Sequence, residues 1–246
     1  MELEFEISKD DLTRGGGEIP NSFREMISQH SNAQGLIILP SDTCYSLAAV
    51  CKFIGMADDM NLILNREKVP FSVATSDIDM VIKFREEQKN GGDIFYNLLE
   101  RFTPGPITII TYLKTEYYTL AKIIEAPDYT AGFRIPSSIV ERNVSKFVNY
   151  PITTVPIKDK KNIPIKDYNE ALESVQANLL KRGKKIKIAG INTKFPFEDK
   201  LSTVVRVKWA EHKLGLIREG YFTKSDLKNF LKDNKYFNWD VVIDKV

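Results

Sequence analysis

The sequence predicts the α/β class: a mixed sheet flanked by helices, not a pure Rossmann fold. Short β-branched runs alternate with stretches of helical spacing through most of the chain. Late in the chain, "STVVRV" and "HKLGLIREG" read as a strand pair joined as in a hairpin. No GxGxxG, Walker loop, HExxH, GxSxG or kinase set occurs.

The elements follow in order. "NSFREMI" has the capping-box form Ser22-x-x-Glu25, which predicts a helix start. Gly35 to Leu39 reads as a buried strand that stops at Pro40. Residues 56–65 read as helix and Phe71 to Ala74 as a short strand. Asp77 to Phe84 and Asp93 to Phe102 carry helical spacing. "TPGPITIITYL" opens with two prolines around a glycine, which excludes helix there, and continues into a strongly β run. "AGFRIP" reads as a strand ending at Pro136, Ser137 to Val148 as a helix, and Ile152 to Val155 as a strand. Residues 158–169 read as loop, Ala171 to Leu180 as helix, and Ile186 to Ala189 as strand. A last helix near 223–232 opens with Thr223-x-x-Asp226, and "NKYFNWDVVIDKV" reads as an edge strand or a loose tail.

Composition narrows the function classes. At 246 residues the chain fits one large α/β domain, or one with a small addition. It can bury a sizeable core without a disulfide or metal staple. Thirty-five basic residues nearly balance 33 acidic ones, so the net charge of +2 does not by itself imply a nucleic-acid partner. Two cysteines and two distant histidines disfavour a structural zinc site, and both thiols are expected free in a reducing compartment. No signal-peptide core and no run of about 18 apolar residues is present, so the expected location is cytoplasmic, with no membrane partner.

Five places carry candidate chemistry. Each is a polar or glycine–proline break near a strand end, where ligands gather in open α/β sheets. "PSDTCYSL" offers Ser41, Asp42, Thr43 and Tyr45, either as a βα loop with a helix cap or as hydroxyls closing on a small polar ligand. Arg66 and Lys68 either compensate a helix C-terminus or bind phosphate. "TPGPIT" is a rigid turn, or a stiff loop that aims the Thr108 hydroxyl. Arg134, inside an apolar strand, needs a partner: a carboxylate of this chain or an anionic ligand. Ser202 and Thr203 are strand residues or ligand contacts, and Arg218 before Gly220 suits a phosphate.

The order "PSDTCYSL", Arg66/Lys68 before "PFS", "PGPIT", "GFRIP", "STVV" and "LIREG" resembles the YrdC/YciO family of L-threonylcarbamoyladenylate synthase-like proteins. The family pattern reads roughly P-T-[DE]-T-x-Y-G-L, K-x-R, P-G-P-x-T, x-R-x-P, S-x-N, S-T-x-x and R-x-G. The resemblance covers about residues 20–225, leaving a tail of about 226–246 within a single domain of residues 1–246. It implies a YrdC-like twisted mixed sheet with flanking helices and a large concave cavity. It also implies threonine, bicarbonate and ATP as substrates, with Mg2+ sharing the phosphate charge. Threonylcarbamoyl-AMP and pyrophosphate are the products, on the way to a modified tRNA adenosine. By resemblance, Ser41, Arg134 and Ser202 fall at the threonine, and Arg66, Lys68, Thr108 and Arg218 at the nucleotide. Thr43, Tyr45 and Thr154 shape the wall.

The departures are specific. If Arg66 is the arginine of K-x-R, Leu64 stands in place of its lysine. Ser46 replaces the glycine of Y-G-L, and Val155 and Ile157 take the places of S-x-N, with Thr153 or Thr154 able to rescue one contact. These gaps place the chain closer to the YciO-type branch. They also keep open a non-catalytic protein that binds nucleotide or double-stranded RNA. For the latter, Lys181, Arg182, Lys184, Lys185 and Lys187 form either a solvated turn or a phosphate-contacting rim, extended by Lys158, Lys160 and Lys161. A strand at Ile186 would put Lys185 and Lys187 on one face.

Overall fold

A computed structural model describes residues 3–12, 18–87, 94–182, 185–193 and 197–244. In chain order the elements are Phe5–Ile7 (β1), Lys9–Leu12 (α1), Arg24–Asn32 (α2), Leu36–Pro40 (β2), Tyr45–Val50 (β3), Met56–Ile63 (α3) and Ser72–Ala74 (β4). Ile78–Phe84 (α4), Ile94–Phe102 (α5), Ile107–Tyr112 (β5), Tyr118–Ile123 (α6), Thr130–Arg134 (β6) and Ile139–Val148 (α7) follow. Ile152–Pro156 (β7), Tyr168–Arg182 (α8), Ile188–Ile191 (β8), Thr203–Lys208 (β9), Lys213–Arg218 (β10), Lys224–Asp233 (α9) and Asp240–Ile243 (β11) complete the chain.

The strands form one mixed sheet in the order β1-β8-β2-β3-β7-β4-β6-β5-β9-β10-β11. Strand alternation sends successive side chains to opposite faces. One face carries Leu36, Ile38, Leu47, Val73, Phe133, Ile109 and Val205 into the larger core, against α3, α5, α8 and α9. The other face carries Ile37, Leu39, Ala48, Ala74 and Ile152 against α2 and α7. This second apolar layer stops at Ala74. Beyond it, on the same face, Gly132, Ile110, Val204, Arg206 and Lys208 are only half-buried.

Most expected elements are present, and three readings change. "PSDTCYSL" is the turn of an antiparallel hairpin, β2 to β3, with Pro40 opposite Tyr45, not a βα loop. After Cys44 the apolar "YSLAAV" is buried on both faces and needs a central strand. Ser22 lies inside a 3-10 turn, Asn21–Phe23, so no Ser22–Glu25 capping box forms. β8 begins at Ile188, so Lys185 and Lys187 precede it, and Lys187 pairs with Glu4 at 2.9 Å. Lys184 and the side chain of Arg182 lie outside the described residues, as does the start expected at Asp93. Both cysteines are free and buried.

Candidate functional site

The register places several predicted residues on one transverse row. Arg218 of β10 pairs with Val204 of β9, and Val204 pairs with Thr108 of β5. Ile109 of β5 lies opposite Phe133 of β6, so Thr108 stands next to Arg134 on the same face. Arg134 in turn pairs with Ala74 of β4. With strands about 4.8 Å apart, Arg134 and Arg218 lie roughly 14 Å from each other across this row. Gly132 makes the floor low: a Cβ there would come within 2.9 Å of the Thr108 methyl and 3.4 Å of Ile110. Arg134 and Thr108 are buried in this row, Gly132, Ile110 and Val204 are half-buried, and Arg218 is exposed.

Arg134 is buried and fully engaged. It forms an ion pair with Glu141 of α7 and donates to the Thr154 hydroxyl of β7. Thr154 also donates to Glu141 at 2.6 Å. Val155 is turned to the opposite face, into the larger core, and Ile157 is fully buried. The pleat therefore presents Thr154, not Val155, to Arg134.

The hairpin turn closes over the same cluster. Ser41 donates to the Cys44 carbonyl and accepts from Ser46, both at 2.9 Å. A glycine at position 46 could not make that second bond. Asp42 accepts the Ser138 amide at 2.7 Å at the start of α7, and its other oxygen is buried without a hydrogen-bond partner. Thr43 is half-buried, with its hydroxyl 3.7 Å from the Cys44 sulfur. Burial pushes the Cys44 thiol up. Tyr45 points to the other face. It donates to the Thr193 carbonyl at 2.5 Å, packs edge-on to Tyr168 and Phe197, and burial raises its phenol to about 12.

Glu141 is the residue that sequence reasoning missed. Its side chain is wholly buried, and desolvation raises its carboxyl to about 7, against the opposing pull of Arg134. A signal was available: "SSIVE" has the form Ser138-x-x-Glu141. Ser138 does cap α7, accepting the Glu141 amide at 3.3 Å. Only half of a capping box forms, because the Ser138 amide goes to Asp42 and the Glu141 carboxylate turns inward to Arg134.

Ser202 and Arg218 meet at the far end of the row, where the exposed Arg218 donates from Nε to the Ser202 carbonyl at 2.9 Å. Its surroundings strip some water from the guanidinium and lower its pKa. Arg66 and Lys68 form a separate group. Arg66 donates to Asn61 and the Val69 carbonyl, both at 3.0 Å, and stacks over Phe71. Lys68 pairs with Asp58 at 2.9 Å and with Glu125 at 3.8 Å. Neither shares a described contact with Arg134, Thr108 or Arg218.

Two concavities lie elsewhere. One, of about 470 Å³, is lined by Arg101, Phe102, Phe222, Asp226, Asn229, Phe230 and Asp233. The other, of about 30 Å³, lies beside Gly35 and Phe53. No predicted site residue lines either. Among the described residues no group of three or more His, Cys, Asp or Glu side chains converges as a metal cradle. None of their helices is long and apolar enough to cross a membrane.

A large twisted mixed sheet with flanking helices is an architecture shared with solved structures. Over 98% of this chain it superposes on P. abyssi Sua5 solved with L-threonine, with a TM-score of 0.73 and 14% identity. The chain spans 65% of that Sua5. E. coli YciO superposes over 89% of this chain and 97% of its own, at a TM-score of 0.64 and 16% identity. A nucleotide- and phosphate-bound HypF matches over 80% of this chain and 29% of its own, at a TM-score of 0.61 and 18% identity. A search of curated proteins found no match. Residues 30–220 match the Sua5/YciO/YrdC family, described as "Telomere recombination", and the chain belongs to that family.

Proposed function

We propose that this chain is an L-threonylcarbamoyladenylate synthase-like protein. It joins threonine, bicarbonate and ATP into threonylcarbamoyl-AMP and pyrophosphate, for threonylcarbamoyladenosine in tRNA. The observation that carries the reading is the single row of Arg134, Thr108 and Arg218 on one sheet face, buried at Arg134 and Thr108 and open at Arg218. The L-threonine bound to the P. abyssi Sua5 adds support.

In this reading, threonine lies at the Arg134 end, under Ser41 of the hairpin turn. The nucleotide extends along Thr108 toward Ser202 and Arg218. Negative charge grows on the α-phosphate and the leaving pyrophosphate, and a cation placed there in advance stabilises it without reorganisation. Arg218 is the cation of the row best suited to this, because the residue is exposed and its described hydrogen bond goes to a carbonyl, not a carboxylate. Lys68 reaches a phosphate only by leaving Asp58, a solvent-exposed pair that holds it weakly. Magnesium would arrive on the phosphates of the nucleotide, held in part by its own waters.

A second reading, a non-catalytic protein that binds nucleotide or double-stranded RNA, is favoured by the engagement of Arg66 with its own turn and of Arg134 with Glu141. Calorimetry with ATP, magnesium, threonine and bicarbonate, on wild type and Arg218→Ala, separates the two. Micromolar ATP binding that the substitution abolishes, followed by pyrophosphate release, supports the synthase. Absence of ATP binding in the wild type rejects it, and binding of duplex RNA measured against salt then tests the alternative.

A further inference from the structure

Arg134 is already occupied by a carboxylate. Its Nη2 donates to Glu141 Oε1 and to the Thr154 hydroxyl, and its Nη1 reaches Glu141 Oε2 at 3.4 Å. We propose that Glu141 is a positioning residue that holds Arg134 in place of a ligand, and that it must take up one proton before Arg134 can accept the carboxylate of an incoming amino acid. The inference rests on the reading that Arg134 faces that carboxylate.

The charges around Glu141 come from every element packed on it. Arg134 approaches from β6, and the Thr154 hydroxyl from β7. Asp42 approaches from the hairpin turn, and its negative charge opposes ionisation of Glu141. The Cys44 thiol on the same turn lies within the field of Glu141. On its own helix, the Ser138 hydroxyl accepts the Glu141 amide. Glu141 thus stands between one cation, Arg134, and a second buried carboxylate, Asp42. A ligand carboxylate on Arg134 would be a third, and like charges sharing one site cannot all stay ionised. Glu141 is the group closest to accepting a proton, because burial has already raised it to about 7.

The exchange balances simply. The ligand carboxylate replaces Glu141 Oε1 on Arg134 Nη2, and a solvent proton settles on Glu141. The neutral acid keeps its hydrogen bond from Thr154. Affinity is therefore full below about pH 7. Above that it falls roughly tenfold per pH unit, until the raised pKa of the bound state is reached.

The test is titration of L-threonine, with and without ATP, into the full chain by calorimetry at about pH 6 and about pH 8, in two buffers of different ionisation enthalpy at each pH. Wild type is expected to bind about tenfold more weakly at the higher pH, with proton uptake approaching one per threonine. Glu141→Gln is expected to bind equally at both, with no uptake. Binding by Glu141→Gln at about pH 8, where wild type binds only at about pH 6, would support the proposal as well, and binding by Glu141→Gln with none by wild type at either pH would overturn its proton step. Wild-type binding that ignores pH and takes up no proton overturns the proposal and leaves the amino-acid reading of Arg134 standing. No binding by either protein at either pH overturns both. Should Glu141→Gln fail to fold, wild-type proton uptake decides alone.

Discussion

Replacing Glu141 by glutamine keeps its volume and removes a charge that the interior resists. Desolvation moves the folded-state carboxyl from 4.5 up to about 7. The native state therefore holds a proton that the unfolded chain has released, and stability drains away as pH rises through that window. Glu141→Gln should be more stable than wild type at about pH 8, by about 1–3 kcal/mol, and close to wild type at about pH 5. Urea melts at the two values check this. Arg134→Ala acts in the opposite sense. It leaves Glu141 without its cation and should cost about 3–5 kcal/mol above about pH 7, where that carboxylate is ionised. Most of that loss should vanish in the Glu141→Gln background, which a double-mutant cycle measures. Arg134 was legible as a buried charge in need of a partner. The partner was hidden because Glu141, read along the chain, sits in an ordinary amphipathic helix, and only the packing of α7 on the sheet turns it inward.

Elements with strong local chemistry were legible, and those decided by distant packing were not. α9 was readable from Thr223 and Asp226, which form a complete capping box. Thr223→Ala should cost about 1 kcal/mol, seen as a lower urea midpoint with unchanged slope. β3 was missed because "YSLAAV" alternates nothing. It is buried on both faces between β2 and β7, so its pattern carries no period. The Ser22–Glu25 signal failed for the converse reason: a good local motif was overridden by a 3-10 turn after Pro20. Gly220 ties element to site. A Cβ there would lie 2.2 Å from the Leu201 carbonyl oxygen and 2.7 Å from the Ser202 carbonyl carbon, backbone atoms that cannot swing away. Gly220→Ala should cost about 1–3 kcal/mol. It should also weaken ATP binding, because the same strain displaces the Ser202 carbonyl that holds Arg218.

Across the whole molecule, the sheet is built from both ends of the sequence. β1 forms one edge beside β8, and β11 forms the other beside β10. The first edge is fastened by Glu4, which meets both His30 of α2 and Lys187 before β8. The His30 ring also hydrogen-bonds the Leu36 carbonyl, at 2.8 Å. Glu4→Ala should therefore loosen β1 locally while the centre of the sheet stays protected. Hydrogen exchange should show faster amides in Phe5–Ile7 and unchanged ones in Tyr45–Val50. The alternation of strands and helices predicted a mixed sheet. The pairing of β4 with both β6 and β7 could not be read from it, because strand order depends on contacts far apart in sequence.

The placement of β1 and β11 also has a mechanical meaning. Among the described residues the sheet has eleven strands, and at about 4.8 Å apart they set its two edges roughly 48 Å from each other. A tether attached to β1 and another to β11 would pull across the strands, in line with the backbone hydrogen bonds rather than at right angles to them. Such a load opens the rungs of one ladder in succession instead of shearing them together. Under tension the protein should yield at low force at its shortest ladders, β4 on β7 and β1 on β8, with the longer β3–β7 ladder among the last to give way.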